Sequence, residues 1–145
     1  MIFTRNPNAQ EIDYLTKFSE TAHMRRRNGP YFVEGRGTED DSDVIDHNNP
    51  PKGQPGTWCQ WVPTADGRHI EWDGGENFYD SEAWMTYLID HFLKNGALAP
   101  LDFLRKNHVV NGRIKASGED RDDNWVLIVK DNTVSSKRLQ FNEED

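Results

Sequence analysis

A chain of 145 residues, 34% of them hydrophobic, can bury one substantial core but hardly two, so one domain over residues 1–145 is expected. Its one cysteine excludes an internal disulfide framework, and no run approaches the roughly 20 apolar residues of a membrane span, so a soluble protein of a reducing, cytoplasmic compartment is expected, with no membrane partner. The net charge of −8 is concentrated: residues 39–90 hold twelve acids against two bases, a field that disfavours direct nucleic-acid binding and favours a basic partner.

The chain opens without a signal peptide's apolar core, since Arg5 runs straight into Asn6-Pro7. Asn6 as cap and Pro7 at the first helical position predict a helix carrying Ile12, Leu15, Phe18 and Ala22 on one side. It should close near Asn28-Gly29-Pro30, with Arg25, Arg26 and Arg27 in its last turn complementing the helix dipole. Tyr31-Phe32-Val33 reads as a short edge strand. Residues 35–56 form a long acidic loop, either mobile or a binding element. Its Asp40, Asp41, Asp43 and Asp46 lack the glycine and closing glutamate of a calcium loop, so a solvated loop is the better reading.

The stretch from Gly56 to Lys94 holds four of the five tryptophans, and large aromatics dominate core energetics. A hairpin is expected around Pro63-Thr64-Ala65-Asp66-Gly67, with Trp61 facing Ile70 and Cys59 facing Trp72 on one apolar side. Asp80 or Ser81 then caps a helix whose Met85, Leu88, Ile89 and Phe92 repeat with helical period, stopped by Lys94 and Gly96. Cys59 is placed inside this face, packed rather than reactive.

Pro100 is expected to open a short helix through Leu101 and Leu104. Three strands follow, around Ile114 and Ala116, around Trp125, Leu127 and Val129, and from Val134, the last two joined by a tight Asp131-Asn132 turn. The tail, 140–145, should fray. The whole predicts an α+β fold: an antiparallel sheet of about five strands with helices packed on one face.

The run Gly112-Arg113-Ile114, Gly118-Glu119-Asp120, Asp123-Asn124-Trp125 and Val129-Lys130-Asp131-Asn132 resembles a pattern in small uncharacterised proteins of bacteriophage and actinobacterial genomes. Those proteins also carry a Trp-rich hairpin and helix similar to Trp58 to Phe92. The resemblance spans about residues 53–134 and implies a phage or mobile-element setting, without an activity or catalytic residues.

The five histidines, His23, His47, His69, His91 and His108, share no ligand spacing, so no metal or other cofactor is expected. Gly35-x-Gly37 runs into acids rather than a lysine and a helix, which excludes a phosphate loop. The leading expectation is therefore a non-enzymatic interaction protein whose acidic face meets a basic protein surface, such as that of a nucleic-acid-binding host factor that it inhibits. The residues placed on that face are Trp58, Glu71, Asp73, Glu76, Glu119, Asp120, Asp122 and Asp123. Two alternatives stand beside it. One is a small metal-dependent hydrolase or carboxylate acid–base enzyme using His69, Glu71, Asp73 and Glu76; the other is a glycan or small-ligand module using an exposed tryptophan. A pocket gathering His69 and carboxylates favours the enzyme, and a flat acidic face with every tryptophan buried favours the interaction protein.

Overall fold

The computed structural model describes residues 1–74, 80–117 and 124–139. Its first helix, α1 (Ala9–Glu20), begins at Asn8 rather than Asn6. Asn8 Oδ1 accepts from the Glu11 amide (2.8 Å) while Glu11 Oε1 accepts from the Asn8 amide (3.0 Å), a reciprocal box that satisfies two otherwise orphaned donors. That pair outcompetes the Asn6-Pro7 start.

α1 also ends a full two turns early. Past Thr21 the backbone leaves the helix for distant partners: Ala22 N–H donates to Gly37 (3.0 Å) and His23 N–H to Thr57 (2.7 Å). Arg25–Arg26 then form β2, paired antiparallel with β3 (Val44–Asp46). The arginines are thus not helical. Arg26 is buried, and its Nη1 contacts Asp41 and Asp43 at 2.9 Å each. Tyr31–Val33 is not a strand either; Tyr31 instead packs its ring on Phe92.

The hairpin comprises β4 (Trp61–Pro63) and β5 (Ile70–Trp72), but its register pairs Trp61 with Trp72 and Pro63 with Ile70, two residues from the expected one. The loop is longer than Pro63–Gly67. It closes where Thr64 N–H donates to His69 (2.9 Å), with Asp66 Oδ1 accepting from Thr64 Oγ1 (2.6 Å) and Arg68 N–H (3.0 Å). Gly67 supplies φ 71° there, and a Cβ on it would lie 2.8 Å from Ile12 Cδ1. Trp61 and Trp72 do share a side, as expected, but the shift leaves Trp72 at the rim, 36% exposed, and Cys59 does not face it.

The short β1 (Ile2–Phe3) ties this hairpin to the main sheet. On one side it pairs with β6 (Val110–Ser117), and on the other Phe3 N–H donates to Arg68 (3.0 Å) and Ile70 N–H to Met1 (2.9 Å). β6, β7 (Asn124–Lys130) and β8 (Thr133–Leu139) form the expected antiparallel meander, giving a four-stranded sheet ordered β1-β6-β7-β8. Asp131 and Asn132, at φ 48° and 68°, make the two-residue turn between β7 and β8. The fold is α+β, with four strands in the main sheet and two small ribbons beside it.

α2 (Ser81–Leu88) runs into a π turn, Ile89–Leu93, closed by Lys94 N–H to Ile89 (3.0 Å). Ile89, Phe92 and Leu93 all face inward, Leu93 extending the stripe of Met85, Leu88, Ile89 and Phe92 by one residue. The segment from Pro100 makes a single turn at Leu101–Leu104 rather than a helix. The core joins Phe18 and Leu15 of α1, Trp61 and Ile70 of the hairpin, Trp84, Leu88, Ile89 and Phe92, and Leu127 and Val129 of β7. Trp61 Nε1 donates to the Ser81 carbonyl (2.9 Å), fixing the hairpin to the start of α2.

Candidate functional site

The helix α2 buries Trp84, Met85 and Leu88 and turns Glu82, Ala83 and Thr86 outward. Its outward stripe forms one wall of an open cleft of about 750 Å³. The other walls are the loop at Gly53 and Pro55 and the inner face of β7 and β8 at Trp125 and Ser136, with Tyr87, Asp90 and His91 also contributing. Three carboxylates, Asp80, Glu82 and Asp90, line it with three aromatic rings, those of Tyr87, His91 and Trp125.

Several contacts hold these groups in place. Tyr87 and His91 stack with centroids 3.8 Å apart and planes 16° apart, and the Tyr31 hydroxyl lies 2.7 Å from His91 Nδ1. Gln54 Nε2 donates to the Tyr87 hydroxyl (3.0 Å) and to the Pro30 carbonyl (2.8 Å), anchoring the loop wall. Ser136 Oγ donates to Glu82 Oε2 (2.6 Å) across the cleft, and Asp90 pairs with Lys94 at 3.0 Å. Burial lowers the His91 pKa from its ordinary value; Asp90 opposes this in part and Lys94 adds to it. The ring is therefore neutral at pH 7, and the charge of the lining is negative.

The sequence pointed elsewhere. Glu71 and Asp73 are exposed on the hairpin, as is Trp58 at 51%, and none of the three lines the cleft. Glu76, Glu119, Asp120, Asp122 and Asp123 lie outside the described residues. His69 is exposed and the cleft gathers neither it nor Glu71. Thus neither sequence criterion is met: carboxylates do gather in a cavity, but without His69, and Trp58 is not buried. The sequence signal for this cleft is the polar stripe Glu82, Thr86, Asp90, spaced by four along the helix opposite its apolar stripe.

Other candidates are accounted for structurally. Burial pushes the Cys59 thiol up to about 12, so it is no nucleophile at neutral pH. Asp41 accepts from Arg26 and from the amides of Arg36 (3.0 Å) and Gly37 (2.9 Å), while Asp46 accepts from Asn48 N–H (2.9 Å) and Asn49 Nδ2 (2.8 Å). Asp41, Asp43 and Asp46 are thus engaged by the loop's own turns and by Arg26. Among the described residues no three ligating side chains gather as a metal site, and no helix is long and apolar enough to cross a membrane. The outer face of the meander has the opposite charge: Arg113, Lys115, Lys130 and Lys137 are all exposed there.

No family model, curated protein or solved structure matches this chain.

Proposed function

We propose that this chain is a non-enzymatic interaction protein that accepts lysine or arginine side chains of a basic protein partner in the cleft between α2 and β8. The observation that carries the reading is the lining itself, in which Asp80, Glu82 and Asp90 stand along one wall of a cleft that also carries the rings of Tyr87, His91 and Trp125. A cation there gains Coulomb attraction from Asp80 and Glu82, Asp90 being already paired with Lys94, and contact with ring faces, a pairing suited to a basic side chain with an aliphatic stem. The hairpin acids Glu71 and Asp73 form a second, exposed source of attraction that raises encounter rates without fixing geometry. Nucleic-acid-binding proteins present basic surfaces of this kind. In the phage or mobile-element setting expected from the sequence, the partner would be a host factor of that class, which this chain would block.

The test is an NMR titration with tetralysine. Shifts should centre on residues 80–91 and the Trp125 indole, weaken with salt, and vanish in the triple variant Asp80→Asn, Glu82→Gln, Asp90→Asn. Glu71→Gln with Asp73→Asn should leave the shift pattern unchanged. Equal loss in both variants, or shifts centred on the hairpin, would overturn the reading.

A further inference from the structure

We infer that the partner enters as an extended segment added antiparallel or parallel to the free edge of β8, with one basic side chain directed into the cleft; this rests on the function proposed above. Three observations carry it. First, β8 is the outer strand of the sheet order β1-β6-β7-β8, and no strand among the described residues pairs with its far side. An unpaired edge offers a row of amides and carbonyls ready to bind another chain.

Second, the hairpin register shows which groups these are. A two-residue turn with positive φ at both positions makes Lys130 and Thr133, the residues that flank it, exchange both backbone hydrogen bonds. Bonding then alternates, so Ser135 and Lys137 also bond inward to β7, while Val134, Ser136 and Arg138 direct their N–H and C=O outward.

Third, the same three residues place their side chains on the face toward α2, because Ser136 is the register partner of the buried Leu127 and its Oγ meets Glu82 at 2.6 Å. A residue opposite Ser136 on an added strand, about 4.8 Å away, therefore directs its own side chain to the same face. That face borders the cleft of Asp80, Glu82 and Asp90. Free edge and acidic cleft are one continuous surface. Lys137 and Arg138 add selectivity: edge charges oppose indiscriminate pairing, and Arg138 disfavours a second cation opposite it. The fitting segment has a lysine or arginine opposite Ser136 and neutral β-formers on either side.

The probe is the capped heptapeptide Thr-Val-Thr-Lys-Thr-Val-Thr, whose composition reads alike in both directions. On binding, the amides of Val134, Ser136 and Arg138 should become protected from hydrogen exchange, while those of Ser135 and Lys137 change little. Methylating two backbone nitrogens of the peptide should abolish binding when they lie on one alternate set of residues and spare it when they lie on the other. Ser136→Pro, which removes an outward N–H without touching an inward bond, should reduce affinity at least tenfold, and Ser135→Ala, on the opposite face and outside the cleft, should not. Indifference to methylation on both sets, or equal loss on both, would overturn the edge-pairing inference. Tetralysine binding through the carboxylates would survive that failure, so the two proposals are separable. The methylated peptides decide the matter even if Ser136→Pro does not fold.

Discussion

His108 Nε2 lies 2.8 Å from Glu11 Oε2 with both side chains fully buried, and it joins the first turn of α1 to the segment that feeds β6. The other ring nitrogen, Nδ1, donates to the Arg5 carbonyl (2.8 Å), so the ring bridges two acceptors and favours the imidazolium. Burial works against the charge on His108, but the bonds to Glu11 and Arg5 outweigh it and raise its pKa. Burial likewise works against the Glu11 carboxylate, but the bonds from His108 and Asn8 outweigh it and lower its pKa. The raised histidine contributes stability below its ordinary pKa near 6.5, lost as pH rises through the folded value. The lowered glutamate contributes above its ordinary value near 4.3, lost as pH falls through the folded one. Thermal melts should therefore show this pair's contribution greatest between about pH 4.5 and 6.5 and declining toward pH 8. Glu11→Ala should cost about 3–5 kcal/mol by leaving a buried ring unpaired. Glu11→Gln, which can donate to a neutral ring, should cost less and remove the alkaline decline.

The hairpin register separates two tryptophans that the sequence treats alike. Trp61 is buried among Leu88, Ile89, Phe92 and Leu127 and bonded to Ser81, whereas Trp72, its cross-strand partner, is at the rim. Urea denaturation should give a loss of about 3–5 kcal/mol for Trp61→Ala and well under half of that for Trp72→Ala. Comparable losses would contradict the register.

Arg26 predicts how the long acidic loop behaves. Its guanidinium, 5.6 Å from the centre of the Phe32 ring, is the cation around which Asp41 and Asp43 close. The first of these contacts is also the main cause of the lowered Asp41 pKa. Arg26→Met would leave two carboxylates facing each other without their counter-ion, so limited proteolysis should cut within residues 35–56 of the variant well before the wild type. Lys17→Met, which removes only the exposed pairing with Asp13 and Glu34, should leave the cleavage rate unchanged.

What the sequence made legible follows from how local the cause was. The Asp131-Asn132 turn and the alternation of β6 and β7 are decided within a few residues, and both are found. The end of α1 is decided by Gly37 and Thr57, and the register of the hairpin by a loop bond between Thr64 and His69, so neither was visible in a local pattern. Asn132 shows both kinds of cause at once. Its positive φ is a turn property, but its side chain also accepts from Val110 N–H (2.8 Å) and donates to the His108 carbonyl (3.0 Å), across 22 and 24 residues. The cleft belongs to the second kind. Glu82 and Asp90 line a cleft only once β8 and the Gly53–Pro55 loop are placed opposite them, which no local pattern on the helix encodes.

Cation binding in the cleft should also carry the signature of His91. The ring is stacked on Tyr87, faces the Tyr31 hydroxyl, and lies near Asp90 and Lys94, with burial the chief cause of its lowered pKa. While the ring is neutral, Nδ1 can accept from Tyr31; once protonated, it becomes a donor and the hydroxyl must turn to accept. Protonation also places a positive charge in the cleft beside Asp90. Affinity for the lysine heptapeptide should thus be level from pH 8 to about 7 and weaken below the ordinary histidine value of about 6.5, as the proton enters. The charge is worth about 1 kcal/mol at such range in a solvated cleft, or roughly fivefold in affinity. The same sign holds for folding: a histidine kept neutral by burial favours the native state above its ordinary pKa and loses that contribution as pH falls. Following the His91 ring carbon by NMR gives the midpoint, and the affinity profile should share it. In His91→Gln the step should disappear, and a step that persists unchanged in that variant would assign the pH response to other groups of the cleft.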